Sequence, residues 1–193
     1  MTNIFTKTAF TKTVKEIQEL MGSRKSYARF DEGPDQNHEL TENEIQFISE
    51  RDSFYAATVG ETGWPYIQHR GGPIGFLKVL SKNQIGFADF SGNRQYITVG
   101  NLTTDPRIAM ILVDYRNRER LKILGRVKLI NANEDPTLVN TLTPKNYNAK
   151  IERVFLIDVE GYDWNCPQHI TPRWTADEIN KAVAPLHAKI AEL

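Results

Sequence analysis

The chain has 193 residues, of which 40% are hydrophobic and 25% charged, and its 24 basic and 24 acidic side chains leave no formal net charge at pH 7. This length and composition suit one globular domain with a sizeable core, and the even charge balance argues against nucleic acid as the main partner. A single cysteine, Cys166, excludes an intrachain disulfide.

The sequence contains neither a recognisable membrane-targeting segment nor a metal-binding motif. Its N-terminal residues lack the continuous apolar run of a secretory signal, and no window reaches the roughly 18 apolar residues that a membrane helix requires. No paired Cys/His spacing of the zinc-binding type occurs. We therefore expect a cytoplasmic protein with no membrane partner and no metal.

The first forty residues are predicted to form a helix and a loop. Apolar residues recur at helical spacing from Phe10 to Met21, which predicts an amphipathic helix ending near Gly22. The following stretch, Ser26–Asn37, is polar and is predicted to be a loop.

The middle of the chain alternates short apolar runs with clusters of turn-forming residues, a pattern typical of antiparallel strands joined by hairpins. A capping box at Thr41–Glu44 predicts a helix from Glu42 to about Glu50 before the first strand. Gly125 interrupts the alternation of one strand and is expected to mark a bulge. The predicted strands are Ser53–Val59, Pro65–Arg70, Ile74–Leu80, Ile85–Ala88, Arg107–Tyr115, Arg120–Ile130 and Val154–Val159, and the further helices are Gln95–Thr103, Asp135–Leu142 and Ala176–Glu192.

Six or seven strands with helices inserted and at both ends favour a mainly β fold with flanking helices, in the α+β class. We expect a six- to seven-stranded antiparallel β-barrel, closed or split, because closure removes the exposed edges of many short strands. The chain is expected to be a single domain, with an N-terminal helix and loop in residues 1–40, the barrel core in 41–162, and a C-terminal loop and helix in 163–193.

Two polar stretches interrupt the strands and are interpreted as two walls of one anion-binding cleft. The first is Gln68-His69-Arg70-Gly71 at a strand end, where the arginine offers a planar fork of donors and the glycine permits close backbone approach. The second precedes a helix, whose N-terminus favours anions; its residues are Asn93 and Arg94, with Thr98 and Asn101 on the same helical face. An ordinary charged turn and a capped surface helix would show the same residues, so these alternatives stay open here.

A third stretch, Trp164–Trp174, is dense in functional groups. Its aromatic side chains suit stacking on a planar ring, and its amide and guanidinium groups suit the edge of that ring. The candidate residues are Trp164, Gln168, His169 and Arg173. A metal site or a cysteine nucleophile built on Cys166 has little support, because no second ligand or base lies at a diagnostic spacing.

In these stretches the chain resembles the flavin-binding split β-barrels related to pyridoxamine 5'-phosphate oxidase. The resemblance covers about Thr41–Tyr162, and the tail Asn165–Arg173 resembles a marker of one subgroup. Its motifs are Gly63–Arg70, Gly75-Phe76, Ala88–Arg94, Gly100–Pro106, Ala109–Asp114 and Leu121–Arg126.

The resemblance implies a homodimer that holds FMN at the subunit interface and acts on a small-molecule redox substrate. The family's strand-end arginine corresponds to His69 and Arg70, with Gln68 and Gly71 beside them. Its second phosphate-side element corresponds to Asn93, Arg94, Thr98 and Asn101. Its C-terminal contribution, often from the other subunit, corresponds to Trp164, Gln168, His169 and Arg173, with His169 nearest the reacting ring edge; no catalytic residue is assigned.

The chain departs from the true oxidases at two places. Tyr96-Ile97-Thr98 stands near their serine-arginine-lysine run, and His169 and Arg173 occur in the opposite order to the residues that grip pyridoxal phosphate. We therefore expect an FMN-dependent oxidoreductase. The alternatives are pyridoxamine or pyridoxine 5'-phosphate oxidase proper, a non-enzymatic flavin carrier or sensor, and a protein holding haem or a deazaflavin in the same cleft.

Overall fold

The structure is a computed structural model, and it describes residues 2–32 and 34–191. A seven-stranded antiparallel sheet forms its centre, with the spatial order β4-β3-β7-β8-β9-β6-β5. The strands of this sheet are β3 (Ser53–Val59), β4 (Pro65–Gly71), β5 (Lys78–Ser81), β6 (Gln84–Phe90), β7 (Arg107–Asp114), β8 (Glu119–Asn131) and β9 (Ile151–Asn165).

Helices and one small strand pair flank this sheet. The N-terminal strands β1 (Thr2–Asn3) and β2 (Asp35–Gln36) pair in parallel, and a 3₁₀ turn covers Ala28–Phe30. The helices are α1 (Ile4–Ala9), α2 (Lys12–Leu20), α3 (Arg24–Tyr27), α4 (Glu42–Ser49), α5 (Ile97–Thr104), α6 (Pro136–Leu142) and α7 (Ala176–Ala191).

The sheet curls around its apolar face without closing. Within the described residues no backbone ladder joins the edge strands β4 and β5, so the fold is an antiparallel split β-barrel with flanking helices. Its core is lined by alternate residues of β7 and β8, such as Met110, Leu112 and Ile123, because successive side chains of a strand point to opposite faces. Phe87 packs between Phe54 and Phe155 at the centre.

Most predicted elements are confirmed, and the differences have local causes. The predicted N-terminal helix is α2, which begins after Thr11 because its hydroxyl caps the Val14 amide. A separate helix, α1, precedes it, capped by Asn3. The predicted loop Ser26–Asn37 also contains the end of α3, the 3₁₀ turn and β2.

The predicted third strand, Ile74–Leu80, is wrong in its first half. Gly75 has a positive φ of 77°, and the Phe76 amide donates to the Pro73 carbonyl at 2.9 Å. This turn places the buried side chains of Phe76 and Leu77 in the core, and the strand begins only at Lys78. Burial of two large apolar residues therefore outweighs their preference for a strand.

The predicted strand Val154–Val159 is too short, since β9 extends from Ile151 to Asn165. Its long pairing with β8 is interrupted by a register shift between Leu124 and Gly125, which confirms the bulge. The last predicted helix extends to Glu192, and its final residue lies outside the described part of the chain.

Gly125 offers a test of this packing. A Cβ atom at Gly125 would lie 2.6 Å from the Asp158 carbonyl oxygen and 2.8 Å from Ile157 Cγ2, so Gly125→Ala forces the backbone of β9 to shift. We expect a loss of about 1–3 kcal/mol in the free energy of unfolding, typical of an overpacked core. Gly100→Ala is the matched control, because a Cβ there meets nothing within 4 Å and alanine favours the helix. Equal denaturation midpoints for the two variants would contradict this account.

Candidate functional site

A polar cavity lies at the split of the barrel, between β4, the end of β6, the N-terminus of α5 and the start of β9. It has a volume of about 240 Å³ and is called the arginine cavity here, because Arg70, Arg94 and Arg153 all line it. Its other lining residues are Tyr66, Gln68, Asp89, Phe90, Gly92, Asn93, Gln95, Tyr96, Ile97, Thr98, Val99 and Glu152.

A buried carboxylate holds two of these arginines. Asp89 accepts hydrogen bonds from Arg70 Nη1 at 2.5 Å and from Arg153 Nη1 at 3.1 Å. Burial raises the pKa of Asp89, whereas the charges of Arg70 and Arg153 oppose the rise. The pair Arg70–Asp89 joins β4 to β6, which lie far apart in the order of the sheet. It therefore connects the two sides of the split through side chains.

The loop between β6 and α5 has an unusual backbone. Arg94 and Tyr96 both adopt the left-handed conformation, with φ of 61° and 55°, which costs about 1–3 kcal/mol for a residue other than glycine. Arg94 Nε donates to the Tyr96 hydroxyl at 3.1 Å, and that hydroxyl donates to Glu152 Oε1 at 3.2 Å. The tertiary contact with β9 thus stabilises a loop geometry that local preference disfavours.

Helix α5 presents its N-terminus to the same cavity. Its N-cap residue is Tyr96, and no side chain caps it, so its first amides are free to meet an anion. The buried Thr98 hydroxyl donates to Gln68 Oε1 at 2.6 Å and ties the helix to β4. Asn101 lies one turn further on and instead donates to the Thr58 hydroxyl at 3.0 Å, outside the arginine cavity.

His69 and Gly71 line a second, smaller cavity of about 150 Å³ that shares Arg70, Asp89 and Phe90 with the first. Strand alternation turns the His69 side chain away from Gln68 and Arg70, and its ring packs edge-on against Tyr55 at 5.4 Å. The polar residues of β4 therefore line two adjoining cavities: Gln68 lines the arginine cavity, and His69 and Gly71 line the smaller one. The Arg70–Asp89 pair borders both.

The tail residues lie elsewhere in the same chain. Trp164 is on β9, not in a loop; its Nε1 donates to Glu44 Oε1 at 2.6 Å and its ring packs edge-on against Phe47. Gln168 and His169 are exposed. Arg173 lies over the ring of Tyr115, 4.7 Å from its centroid. None of these side chains lines the arginine cavity.

Arg173 instead lines a larger, separate cavity of about 560 Å³, between the end of α4, the turn after β7 and the start of α7. At its wall the buried Arg51 pairs with Asp114 at 2.8 Å. Burial by itself would raise the pKa of Asp114. Hydrogen bonds from Asn117 and Arg51 stabilise the carboxylate more strongly, so its pKa is lowered. The lining mixes both charges and so has no clear preference for an anion.

Sequence reasoning missed six polar residues that line the arginine cavity: Tyr66, Asp89, Gln95, Tyr96, Glu152 and Arg153. One signal was present, since Asp89 is the only charged residue of β6. The pairing of β6 with β9 sets Asp89 opposite Arg153. That register brings together residues 64 positions apart, and no local pattern predicts it.

The described residues contain no group of three or more His, Cys, Asp or Glu side chains that could hold a metal ion. Among the same residues, no helix has the length and apolar character required to cross a bilayer.

The sequence matches the family model for pyridoxamine 5'-phosphate oxidase over residues 40–161, which is well over half of the chain. The chain belongs to the pyridoxamine 5'-phosphate oxidase family. The matched segment runs from Leu40 to Gly161, so it contains the whole arginine cavity and stops before the tail. No curated protein is significantly similar to this family member.

Solved structures show the same fold at low sequence identity. HupZ of Group A Streptococcus aligns with a TM-score of 0.53 and 14% identity over 70% of this chain and 99% of its own. An FMN-binding protein from Syntrophomonas wolfei gives a TM-score of 0.52 and 13% identity over 77% of this chain and 97% of its own.

A third structure, described as a putative pyridoxamine 5'-phosphate oxidase from Lactobacillus delbrueckii, gives a TM-score of 0.50 and 17% identity over 65% of this chain and 94% of its own. These similarities establish the fold of this family member and leave its ligand to be argued from the site.

The hydrogen bond between Trp164 and Glu44 leads to a prediction about how the stability of the fold depends on pH. Burial by itself would raise the pKa of Glu44. Hydrogen bonds from Thr41 and Trp164 outweigh burial, so the pKa lies below its ordinary value of 4.5. A lowered folded-state pKa stabilises the fold above the unfolded-state pKa, and this contribution is lost as the pH falls through the folded-state pKa. We therefore expect acidification below about pH 4.5 to destabilise the wild type more than Glu44→Gln.

Urea unfolding between pH 7 and pH 3 measures this difference. Glu42→Gln is the control, because Glu42 lies in the same helix turn but is exposed. Parallel pH profiles for the wild type and Glu44→Gln would contradict the assignment.

Proposed function

We propose that this protein binds FMN in the arginine cavity and acts as an FMN-dependent oxidoreductase. The observation that carries the proposal is the convergence of Arg70, Arg94 and Arg153 with the uncapped N-terminus of α5 on one cavity, in a chain of the pyridoxamine 5'-phosphate oxidase family. Guanidinium groups and helix amides are the donors that proteins use for phosphate.

The charges of the cavity fit a phosphate monoester. Asp89 and Glu152 offset two of the three arginines, which leaves one net positive charge. Within residues 2–32 and 34–191, the terminal nitrogens of Arg94 have neither a hydrogen-bond nor an ion-pair partner, since Arg94 uses only Nε. Arg94 is thus the cation most available to an anionic ligand, while Asp89 holds Arg70 and Arg153 in place.

The volume of the cavity supports a homodimer. About 240 Å³ is less than the roughly 300–1,000 Å³ of pockets that enclose a cofactor-sized ligand, so one chain encloses only part of FMN. Gln168, His169 and Arg173 do not contact the cavity of their own chain, and we infer that the corresponding residues of a second copy cover the exposed ring. Asn101 and Trp164 would contribute through packing, as they bond to Thr58 and Glu44.

The outer face of the sheet offers a surface for that second copy. A groove of about 190 Å³ is lined almost entirely by apolar atoms of β3, β4, β7 and β8, together with Phe5 of α1. Ile67 is 66% exposed there and lies opposite Ala57 of β3, two residues along that strand from Tyr55. Exposed apolar side chains that adjoin such a groove support this face as the contact with the second copy.

When bound, the flavin supplies the electron-transfer chemistry. The residues of this chain bind the phosphate, orient the ring through β4 and α5, and limit access of water to one side. No side chain of the cavity is assigned as an acid or base.

The visible absorption spectrum of the purified protein, reconstituted with FMN, tests the cofactor. Arg70→Ala and Arg94→Ala should each raise the Kd for FMN about tenfold or more, because each removes a charge-assisted hydrogen bond. Arg126→Ala is the control, since Arg126 forms an exposed pair with Glu160 on the opposite part of the sheet. Unchanged FMN binding in both cavity variants, with normal thermal unfolding, would place the phosphate elsewhere.

Turnover separates the enzymatic alternatives. We expect a nicotinamide donor to reduce the bound flavin under anaerobic conditions, measured by bleaching of its visible band. Release of hydrogen peroxide with pyridoxamine 5'-phosphate at a comparable rate would instead identify the oxidase proper. A flavin that neither reaction affects would indicate a carrier or sensor, and a haem or deazaflavin spectrum would exclude FMN.

The oligomeric state is testable by light scattering. We expect a dimer for the wild type and a shift towards monomer for Ile67→Glu, because a carboxylate in the outer groove opposes its burial. Ile74→Glu is the control, as Ile74 is 74% exposed but lies outside that groove. A wild-type monomer that binds FMN tightly would contradict the dimer.

A further inference from the structure

We propose that Tyr96 and Glu152 form a positioning relay that sets Arg94 for the phosphate of the ligand, and that this relay makes the site prefer a phosphorylated flavin to its uncharged form. The inference rests on the proposed FMN site and adds residues that neither the sequence motifs nor the family match assigns. Neither residue needs to contact the phosphate itself.

The geometry of one hydroxyl group carries the argument. The Tyr96 hydroxyl has a single proton, and it lies 3.2 Å from Glu152 Oε1 and 3.1 Å from Arg94 Nε. Because Arg94 can only donate, the hydroxyl must accept from Arg94 and give its proton to Glu152. The carboxylate therefore fixes the direction of the whole chain of bonds.

Glu152 is itself held from three sides. The Ser91 hydroxyl donates to Oε1 at 3.0 Å, and Arg153 Nη2 donates to Oε2 at 3.0 Å. The hydrogen bond from Ser91, with that from Tyr96 and the charge of Arg153, lowers the pKa of Glu152 despite some desolvation, so the acceptor stays ionised at neutral pH. Its anchor is the sheet, because residue 152 lies on β9.

The relay explains why the loop accepts an unfavourable backbone. Arg94 and Tyr96 both have positive φ, and the Tyr96 ring packs beneath the Arg153 guanidinium at 5.0 Å. With Nε bonded to Tyr96, the two terminal nitrogens of Arg94 remain available among the described residues. A flexible exposed arginine is thereby given a defined direction before the ligand arrives, which reduces the entropy lost on binding.

Tyr96→Phe removes both hydrogen bonds and keeps the ring and its backbone preference. We expect the Kd for FMN to rise about three- to tenfold, the range for loss of a hydrogen bond, while the Kd for riboflavin, which lacks the phosphate, changes by less than about twofold. Competition of inorganic phosphate with FMN should weaken in parallel. Tyr27→Phe is the control, since Tyr27 packs on Phe10 far along the chain.

Two further variants distinguish positioning from structural damage. Glu152→Ala should reproduce the loss of Tyr96→Phe, and Glu152→Gln, which retains an acceptor oxygen, should restore part of the preference. In a double-mutant cycle, Tyr96→Phe should have no further effect in an Arg94→Ala background, because Tyr96 acts through Arg94.

Equal weakening of FMN and riboflavin by Tyr96→Phe, or additive effects of the two substitutions, would overturn the relay. Unchanged FMN binding in Tyr96→Phe would also overturn it and would leave the FMN site standing. A wild-type protein that binds neither flavin would overturn the FMN site and the relay together.

Discussion

The ion pair between Arg70 and Asp89 is the interaction on which the arrangement of the site depends. Hydrogen-bonded ladders run through the sheet, but in the part of the chain that the structure describes they leave β4 and β5 as edges, so side chains connect β4 to β6 at the split. Arg70 makes that connection at 2.5 Å, and Arg153 adds a second cation on Asp89. Removal of one partner from a buried pair of this kind leaves an uncompensated charge, which is far more costly than the pair is stabilising.

Because of this ion pair, the three arginines of the cavity have different roles. Arg70 and Arg153 are held by Asp89 and form part of the cavity wall. Arg94 is exposed and forms no ion pair with a carboxylate among the described residues. A site with only fixed arginines would be preorganised but largely neutralised, and one with only free arginines would lose much entropy on binding. The combination supplies both a rigid wall and one available positive charge for an anion.

The tail of the chain illustrates how one segment serves two purposes. Trp164 is part of the fold, because it packs on Phe47 and satisfies the buried carboxylate of Glu44. Gln168 and His169, a few residues further on, are exposed. The segment thus changes from a structural strand to a surface loop at the end of β9, and only the surface part is free to reach another molecule.

The sequence by itself determined the elements that depend on local chemistry. The capping box of Thr41 and Glu44, the alternation of β3 and β7, and the bulge at Gly125 all follow from short-range patterns, and the order of the motifs indicated the split barrel. The division of β4 between Arg70 and His69 also follows from strand alternation, although both were assigned to one site.

Only the tertiary structure decided which charges meet. The contact between Asp89 and Arg153 depends on the register of β6 against β9, and the turn that buries Phe76 depends on space inside the core. The left-handed backbone of Arg94 and Tyr96 is disfavoured locally and is stabilised by Glu152 from a distant strand. Long-range pairing and burial fix these features, and their energies exceed the local preferences that a sequence pattern reveals.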